Sequence, residues 1–356
     1  MQKWLIVIIF FSSILPAVHS QNLIMNPSFE LYETCPSSLA TITFPSEGNP
    51  VLKNWNRATD GSPDYFNVCG SDAARIPNTS LGYQYPRTGN GYIGSFISDG
   101  ENYREYFQSK LTQTLLPHHY YIGYWLNLAN SDFGNIAALD QIGIYFSTDS
   151  LESGTTAPLA ELVPQVVTPP YAILDDTSGW MNIHHSFLAS GEERWMTVGS
   201  FLGEEDIHYD YFGSFDSYYS YYFFDDFCLL DLDIPMNVQD TLFVCQPGDS
   251  VNLADYVNTV AHFSFWNGGI LSDEMWVYES GYYTARLVDQ GHCKLKDISF
   301  LVIMEVSEYL LDLGTDTFIC PGDHVILDAT HPALEVYNWN NGMTAPVLEN
   351  QCSRNV

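Results

Sequence analysis

Basic residues are scarce in this chain of 356 residues, which has 12 Lys and Arg against 43 Asp and Glu. The formal net charge of −31 repels nucleic acid, so we expect no DNA or RNA partner. No segment beyond residue 20 reaches about 18 uninterrupted apolar residues, the length that a membrane-spanning helix needs. No stretch keeps a helical period between caps over several turns either, so we do not predict a helical fold.

The sequence motifs of common catalytic sites are also missing. The chain has no His-Glu-x-x-His zinc site, no Gly-x-Ser-x-Gly nucleophile turn and no phosphate-binding loop. Glycosidases use two facing carboxylates, and the Glu-x-Asp-x-x-Glu string that some jelly-roll glycosidases carry does not occur. We therefore predict no catalytic residues and no organic cofactor. A polysaccharide hydrolase that draws two carboxylates from separate strands remains the alternative.

The first 20 residues have the three parts of a secretory signal peptide. Lys3 supplies the positive start, residues 4–15 form the apolar core, and residues 17–20 (Ala-Val-His-Ser) form the predicted cleavage site before Gln21. The apolar core is too short for a stable membrane span. We therefore expect the chain to be exported, and either secreted or held at the cell surface.

Aromatic residues are abundant, with 24 Tyr, 21 Phe and 8 Trp, which excludes an acidic disordered chain. Alternating and β-branched or aromatic runs predict strands, with turn signals between them. Strands in this number over some two hundred residues predict an all-β fold, with a β-sandwich jelly roll over residues 21–235. The predicted strands are residues 92–97, 103–111, 120–129, 141–147, 181–189, 195–201 and 221–230.

Two later stretches are nearly identical in pattern. Residues 240–253 (DTLFVCQPGDSVNL) return as residues 316–327 (DTFICPGDHVIL), and each copy is followed by a tryptophan, Trp266 or Trp339. This repetition predicts tandem Ig-like β-sandwich repeats at residues 236–308 and 309–356. The second copy lacks an equivalent of the late strand at residues 281–287, so we expect it to be an incomplete repeat.

Seven cysteines in an exported chain predict disulfides with one thiol left over. Cys245 and Cys293 bracket the first repeat and form its natural pair. Cys35 and Cys69 lie in turn-rich sequence near the N-terminus and form the second predicted pair. Cys228 lies inside a strand pattern and is predicted to be a buried thiol. Two further cysteines stay unassigned, Cys320 and Cys352.

The opening Asn-Pro-Ser-Phe-Glu of residues 26–30 and the Phe-Asp-Asp-Phe of residues 224–227 together resemble the galactose-binding-type jelly roll of many carbohydrate-binding modules. The resemblance implies a structural Ca²⁺ between the first and last strands, with Glu30 and Asp226 as ligands. Calcium takes about six to eight oxygen ligands, to which carboxylates contribute. The alternative is that Glu30 accepts backbone hydrogen bonds and Asp226 lies on the solvated side.

A sugar-binding face needs exposed aromatic rings for stacking and planar polar groups for the hydroxyls. The same residue types also form the core and rim of any aromatic-rich sandwich, so both interpretations stay open. If the face exists, the jelly roll is a glycan-recognition head on an Ig-like stalk, in a non-catalytic binding or adhesion protein. The alternative is a purely structural surface protein. The predicted ligand contacts cluster in sequence: Trp55, Tyr65, Tyr85, Arg87, Asn90 and Tyr103.

A narrower resemblance rests on residues 63–69, on residues 82–89 and on the repeat opening Asp-Thr-x-x-Cys-Pro-Gly-Asp. These motifs resemble large surface proteins of gliding Bacteroidota. In those proteins a jelly roll precedes Ig-like repeats, and a gliding-motility-associated C-terminal domain is read by type IX secretion. The present sequence does not include that domain. The resemblance implies export beyond the outer membrane, and we expect an extracellular glycan or a surface protein as the partner.

Overall fold

The computed structural model describes residues 22–48, 50–130, 135–212, 218–238, 240–247, 250–257, 264–266, 270–272, 274–305, 313, 320, 324–330 and 337–351. The predicted signal peptide lies outside these residues. Within them the fold is all-β, as the sequence predicts, and no helix is long and apolar enough to cross a membrane. Its helical segments are three short 3-10 turns, Asp72–Ala74, Glu204–Asp206 and Leu253–Tyr256.

Fourteen strands lie in the described part of the N-terminal unit. They are β1 (Trp55–Arg57), β2 (Asp64–Asn67), β3 (Asn78–Thr79), β4 (Gly82–Tyr83), β5 (Gly91–Ser98), β6 (Phe107–Lys110), β7 (His119–Leu128), β8 (Asn135–Leu139), β9 (Gly143–Ser147), β10 (Val166–Val167), β11 (Met181–Leu188), β12 (Trp195–Gly199), β13 (Tyr209–Phe212) and β14 (Tyr218–Asp231).

Two large sheets form the predicted sandwich. One has the strand order β1-β6-β12-β9-β10, and the other has the order β11-β7-β14-β5-β2, with β8 and β13 joined beside β14. Rings from both sheets meet in one core, where Trp55 lies 5.6 Å from Phe107 and Phe107 lies 5.0 Å from Phe224, measured between ring centroids. Alternation along each strand sends every second side chain into this core. The intervening residues form the outer faces.

All seven predicted strands are present, with ends that shift by a few residues. The largest change is at residues 103–111, where only β6 pairs regularly. Before β6 the backbone bonds to separate segments instead of one partner strand, since the N–H of Arg104 donates to the carbonyl of Thr156 at 2.7 Å and that of Glu105 donates to the carbonyl of Phe96 at 2.9 Å. The sequence did not predict five short strands that pair in the two large sheets, which are β1, β2, β8, β10 and β13.

A second unit follows the sandwich. Its main sheet has the order β15-β21-β20-β17-β18, and its core surrounds Trp266 and Phe300. The indole of Trp266 donates to the carbonyl of Ser272, and that of Trp339 donates to the carbonyl of Ala345, six residues downstream in each case. The described strands are β15 (Asp240–Pro247), β16 (Val251–Asn252), β17 (Ser264–Trp266), β18 (Ile270–Leu271), β19 (Trp276–Val277), β20 (Gly281–Asp289), β21 (Lys294–Glu305), β22 (His324–Asp328) and β23 (Val347–Gln351). The predicted domain boundaries stay predictions.

The disulfides confirm one predicted pair and correct the other. Cys35 and Cys69 are bonded, with their Cα atoms 5.6 Å apart. Cys293 is bonded to Cys228, so the predicted Cys245–Cys293 pair is wrong, as is the prediction of a buried thiol at Cys228. The cause is tertiary: the turn between β20 and β21 packs against β14 of the sandwich, which places Cys293 beside another unit. The side chain of Cys245 lies outside the described residues.

Candidate ligand-binding site

Two of the predicted sugar contacts belong to the core. Trp55 and Tyr65 are both 0% exposed. The indole of Trp55 donates to the carbonyl of Asn26, and the hydroxyl of Tyr65 donates to the carbonyl of Phe29. Neither ring can stack on a sugar, so the prediction is wrong for this pair. The inward face of β1 and β2 explains the error, since these short strands give too few residues to show which way each ring points.

Two other predicted contacts are engaged elsewhere. The hydroxyl of Tyr103 donates to Oε1 of Glu105 at 2.8 Å, and the ring is half-buried. Asn90 is exposed, but its Nδ2 donates to Oε2 of Glu30 at 3.1 Å. Each side chain is therefore part of another hydrogen-bonded group. The two remaining predicted residues, Tyr85 and Arg87, do lie at an exposed aromatic surface.

We call this surface the aromatic platform and define it by Tyr83, Tyr85, Trp125 and Trp180 together with Arg87. Tyr83 is 48% exposed and Tyr85 is 58% exposed, and their ring centroids are 5.8 Å apart in an edge-to-face arrangement. Trp125 and Trp180 are half-buried. The indole of Trp180 donates to the carbonyl of Tyr85 at 3.1 Å, which joins the two parts of the platform.

The surrounding backbone holds these rings in place. Trp125 lies on β7 between the inward-facing Tyr124 and Leu126, so alternation turns its ring to the outer face. Asp176 orders the loop before Trp180, because its Oδ1 accepts the N–H groups of Ser178 and Gly179, both at 2.8 Å. These backbone hydrogen bonds lower the pKa of Asp176.

Arg87 connects the platform to a carboxylate. Its Cζ lies 3.9 Å from the centroid of the Trp125 ring, and its Nη1 lies 2.5 Å from Oδ2 of Asp226. The other oxygen of Asp226 accepts the hydroxyls of Ser28 and Thr88, each at 2.6 Å. A planar guanidinium stacked on a ring and tied to a carboxylate keeps a fixed orientation. The charges of Arg87 and Asp226 neutralise each other.

The neighbouring Asp225 is fully buried and anchors the same segment. Its Oδ2 accepts the N–H groups of Arg87 at 2.9 Å and of Thr88 at 3.3 Å. Burial, and then the charge of Asp226, raise the pKa of Asp225 well above its ordinary value. The bulge in β14 between Asp225 and Cys228 gives these two adjacent carboxylates different surroundings. Asp225 therefore positions the backbone, and Asp226 positions Arg87.

The predicted calcium ligands have protein partners. Oε1 of Glu30 accepts the N–H groups of Asn90 at 2.7 Å and of Gly91 at 3.0 Å, as in the alternative interpretation. Asp226 is paired with Arg87, so a cation there would have to compete with a guanidinium. The described residues contain no group of three or more His, Cys, Asp or Glu arranged to hold a metal. The calcium site stays a prediction.

A second acidic feature lies inside the sandwich, where Asp64 is 3% and Glu105 is 2% exposed. Oδ2 of Asp64 accepts the hydroxyl of Tyr221 at 2.6 Å. Burial raises the pKa of Asp64 to about 6. Burial, and then the charge of Asp64, raise that of Glu105 to about 8. The two carboxyl groups interact electrostatically, but neither is exposed to solvent. They therefore do not supply the exposed acid and base of a glycosidase.

No family model and no curated protein matches the chain. Among solved structures, it is similar to a putative sugar-binding protein from Bacteroides thetaiotaomicron, with 11% identity, a TM-score of 0.33, and 59% of this chain and 100% of that chain covered. It is also similar to the CBM22-1 xylan-binding domain of Xyn10C from Paenibacillus barcinonensis, with 10% identity, a TM-score of 0.28, and 56% and 97% covered. It is also similar to TmCBM61, solved in complex with β-1,4-galactotriose, with 13% identity and a TM-score of 0.28. This likeness covers 60% of this chain and 99% of that chain. Such likenesses do not identify a ligand for this chain.

Proposed function

We propose that this chain is a non-catalytic glycan-binding protein whose jelly roll binds sugar rings on the aromatic platform. The observation that carries the proposal is the exposure of Tyr83 and Tyr85 beside the half-buried Trp125 and Trp180. The apolar face of a pyranose ring packs on such rings, whereas its hydroxyls need planar polar partners. Arg87 lies within the platform and presents a guanidinium of fixed orientation.

The platform is ordered before any ligand arrives. The N–H group of Tyr83 donates to Oδ1 of Asn130 at 2.8 Å, and Trp180 is tied to the backbone of Tyr85. Ordering side chains during binding costs affinity, and rings already held in place avoid part of that cost. A purely structural surface protein has no need to hold exposed aromatic rings in this way, so the platform favours a ligand.

The proposal also includes export of the chain and a role in adhesion at the cell surface. The signal-peptide pattern of residues 1–20 and the two disulfides support an oxidising, extracellular location. The second unit has a hydrophobic core of its own, which suits a stalk behind the sandwich. The motifs resembling surface proteins of gliding Bacteroidota support a cell-surface location for this head and stalk, with an extracellular glycan as the proposed partner.

A glycan array followed by calorimetry on the mature chain tests the proposal. We expect Tyr85→Ala and Trp180→Ala to weaken the selected glycan by about tenfold or more, as for hot-spot aromatics. Tyr282→Ala is the matched control, because Tyr282 is 76% exposed but lies on β20 of the second unit. Equal affinities of the parent chain and all three variants for the selected glycan would overturn the platform as the binding site. An array without any bound glycan would favour the structural alternative.

A further inference from the structure

A pocket of about 600 Å³ lies where the sandwich meets the second unit. Ser28, Thr88 and Asp226 line it from the sandwich. His292 and Lys294 line it from the second unit, in the turn before β21 and at its first residue. The disulfide between Cys228 and Cys293 forms part of the wall. The volume lies in the range of small-ligand sites, about 300–1,000 Å³.

The two sides of the pocket are fixed to each other. Besides the disulfide, the buried Arg286 of β20 donates from Nη1 to the carbonyls of Leu232 at 2.5 Å and Ile234 at 2.7 Å. Its Nε and Nη2 donate to the two oxygens of Asp297 at 2.8 and 3.0 Å. Apolar side chains from both units share one cluster, including Leu230. The pocket therefore has preformed walls.

The pocket adjoins the aromatic platform. Arg87 stacks on Trp125 of the platform and pairs with Asp226, which lines the pocket. Thr88, the next residue, also lines the pocket. A ligand that extends from the platform along the 83–88 segment thus reaches the second unit, and sugar rings beyond the first can contact residues of both units.

The lining carries a local positive charge in a very acidic chain. Asp226 is neutralised by Arg87, and Nδ1 of His292 lies 2.8 Å from a carboxylate oxygen of Asp289. Lys294 is exposed and has no ion pair with the described residues. The hydroxyls of Ser28 and Thr88 already donate to Asp226, so the ammonium of Lys294 is the group in the lining that favours an anionic group on the ligand.

We propose that the binding site continues from the platform into this pocket and takes an acidic oligosaccharide, with Lys294 paired to a carboxylate or sulfate group on the sugar. The proposal rests on the glycan-binding function of the platform and adds a second contribution, from the unit behind the jelly roll. It predicts that the second unit takes part in recognition instead of acting only as a spacer.

Calorimetry on the mature chain tests this with three oligosaccharides of equal length, one uronate-containing, one sulfated and one neutral. We expect at least one acidic ligand to bind more tightly than the neutral one. Lys294→Gln should weaken that ligand by about fivefold or more and leave the neutral ligand unchanged. Lys296→Gln is the matched control, since Lys296 is exposed on the same strand but does not line the pocket. The preferred acidic ligand distinguishes a carboxylate from a sulfate.

Each result separates the two proposals. Equal effects of Lys294→Gln and Lys296→Gln, or equal binding of acidic and neutral ligands, would overturn the pocket while Tyr85→Ala still tests the platform. Loss of binding in Lys294→Gln without any effect of Tyr85→Ala would keep the pocket and overturn the platform. Absence of binding by all three ligands would overturn the pocket, while the glycan array still tests the platform.

Discussion

Trp55 and Trp180 are both tryptophans, but Trp55 lies in the core of the sandwich and Trp180 lies on the aromatic platform. Each indole N–H donates to a backbone carbonyl, that of Asn26 in the core and that of Tyr85 on the platform. Hydrogen bonding therefore does not distinguish the two. The difference is in burial: Trp55 is fully buried within about 6 Å of Phe29, Phe107 and Phe227, whereas Trp180 is half-buried and packs edge-on against Tyr92 at 5.9 Å. Core aromatics stabilise this sandwich, and platform aromatics are available to a ligand.

The largest expected effect is in the core. Trp55→Ala removes a fully buried ring and leaves a cavity, so it should lower the free energy of unfolding by about 3–5 kcal/mol. Trp180→Ala should cost much less, because its ring is only half-buried. Denaturant unfolding of both variants measures the contrast. Similar losses in the two proteins would contradict the separation of core from platform.

The sequence could predict this separation only in part. The outward direction of the Trp125 ring could be predicted from the sequence. Trp125 alternates with Tyr124 and Leu126 on a ten-residue strand, so its ring points to the opposite face. The burial of Trp55 could not be predicted in this way, since β1 spans only three residues and its partners come from distant segments. The Cys228–Cys293 bond could not be predicted from the sequence for a similar reason. Spacing along the chain favoured a pair within one repeat, and only tertiary packing brings Cys293 to β14.

The disulfide between the two units should have the next largest effect. Its cysteines are 65 residues apart, so Cys228→Ser combined with Cys293→Ser should lower the free energy of unfolding by about 2–4 kcal/mol. The double variant should also unfold in two separate calorimetric transitions, because the covalent link between the units is gone. Replacing Cys35 and Cys69 provides the control within the sandwich. Peptide mapping that linked Cys245 to Cys293 would refute the assignment.

The buried acids give the core side a pH dependence. The pKa values of Asp64 and Glu105 are raised to about 6 and about 8, so folding favours their protonated forms. Their contribution to stability is complete below the unfolded pKa values and is lost as pH rises through about 6 and then about 8. Glu105→Gln should therefore lose less stability than the parent between pH 6 and pH 9, by more than about 1 kcal/mol. Parallel pH profiles for the two proteins would contradict the buried pair.

The smallest expected effect concerns calcium beside the platform. If Glu30 and Asp226 bind Ca²⁺, the melting temperature of the mature chain should be slightly higher in calcium than in EGTA, and Asp226→Ala should abolish the difference. The shift should be small because Arg87 already neutralises Asp226 at 2.5 Å. Arg87→Gln removes that competing cation and should enlarge the response, since the carboxylate then needs a new counter-charge. A calcium response that stays absent in Arg87→Gln would exclude Asp226 as a ligand and leave it with one function, orienting Arg87 on the platform.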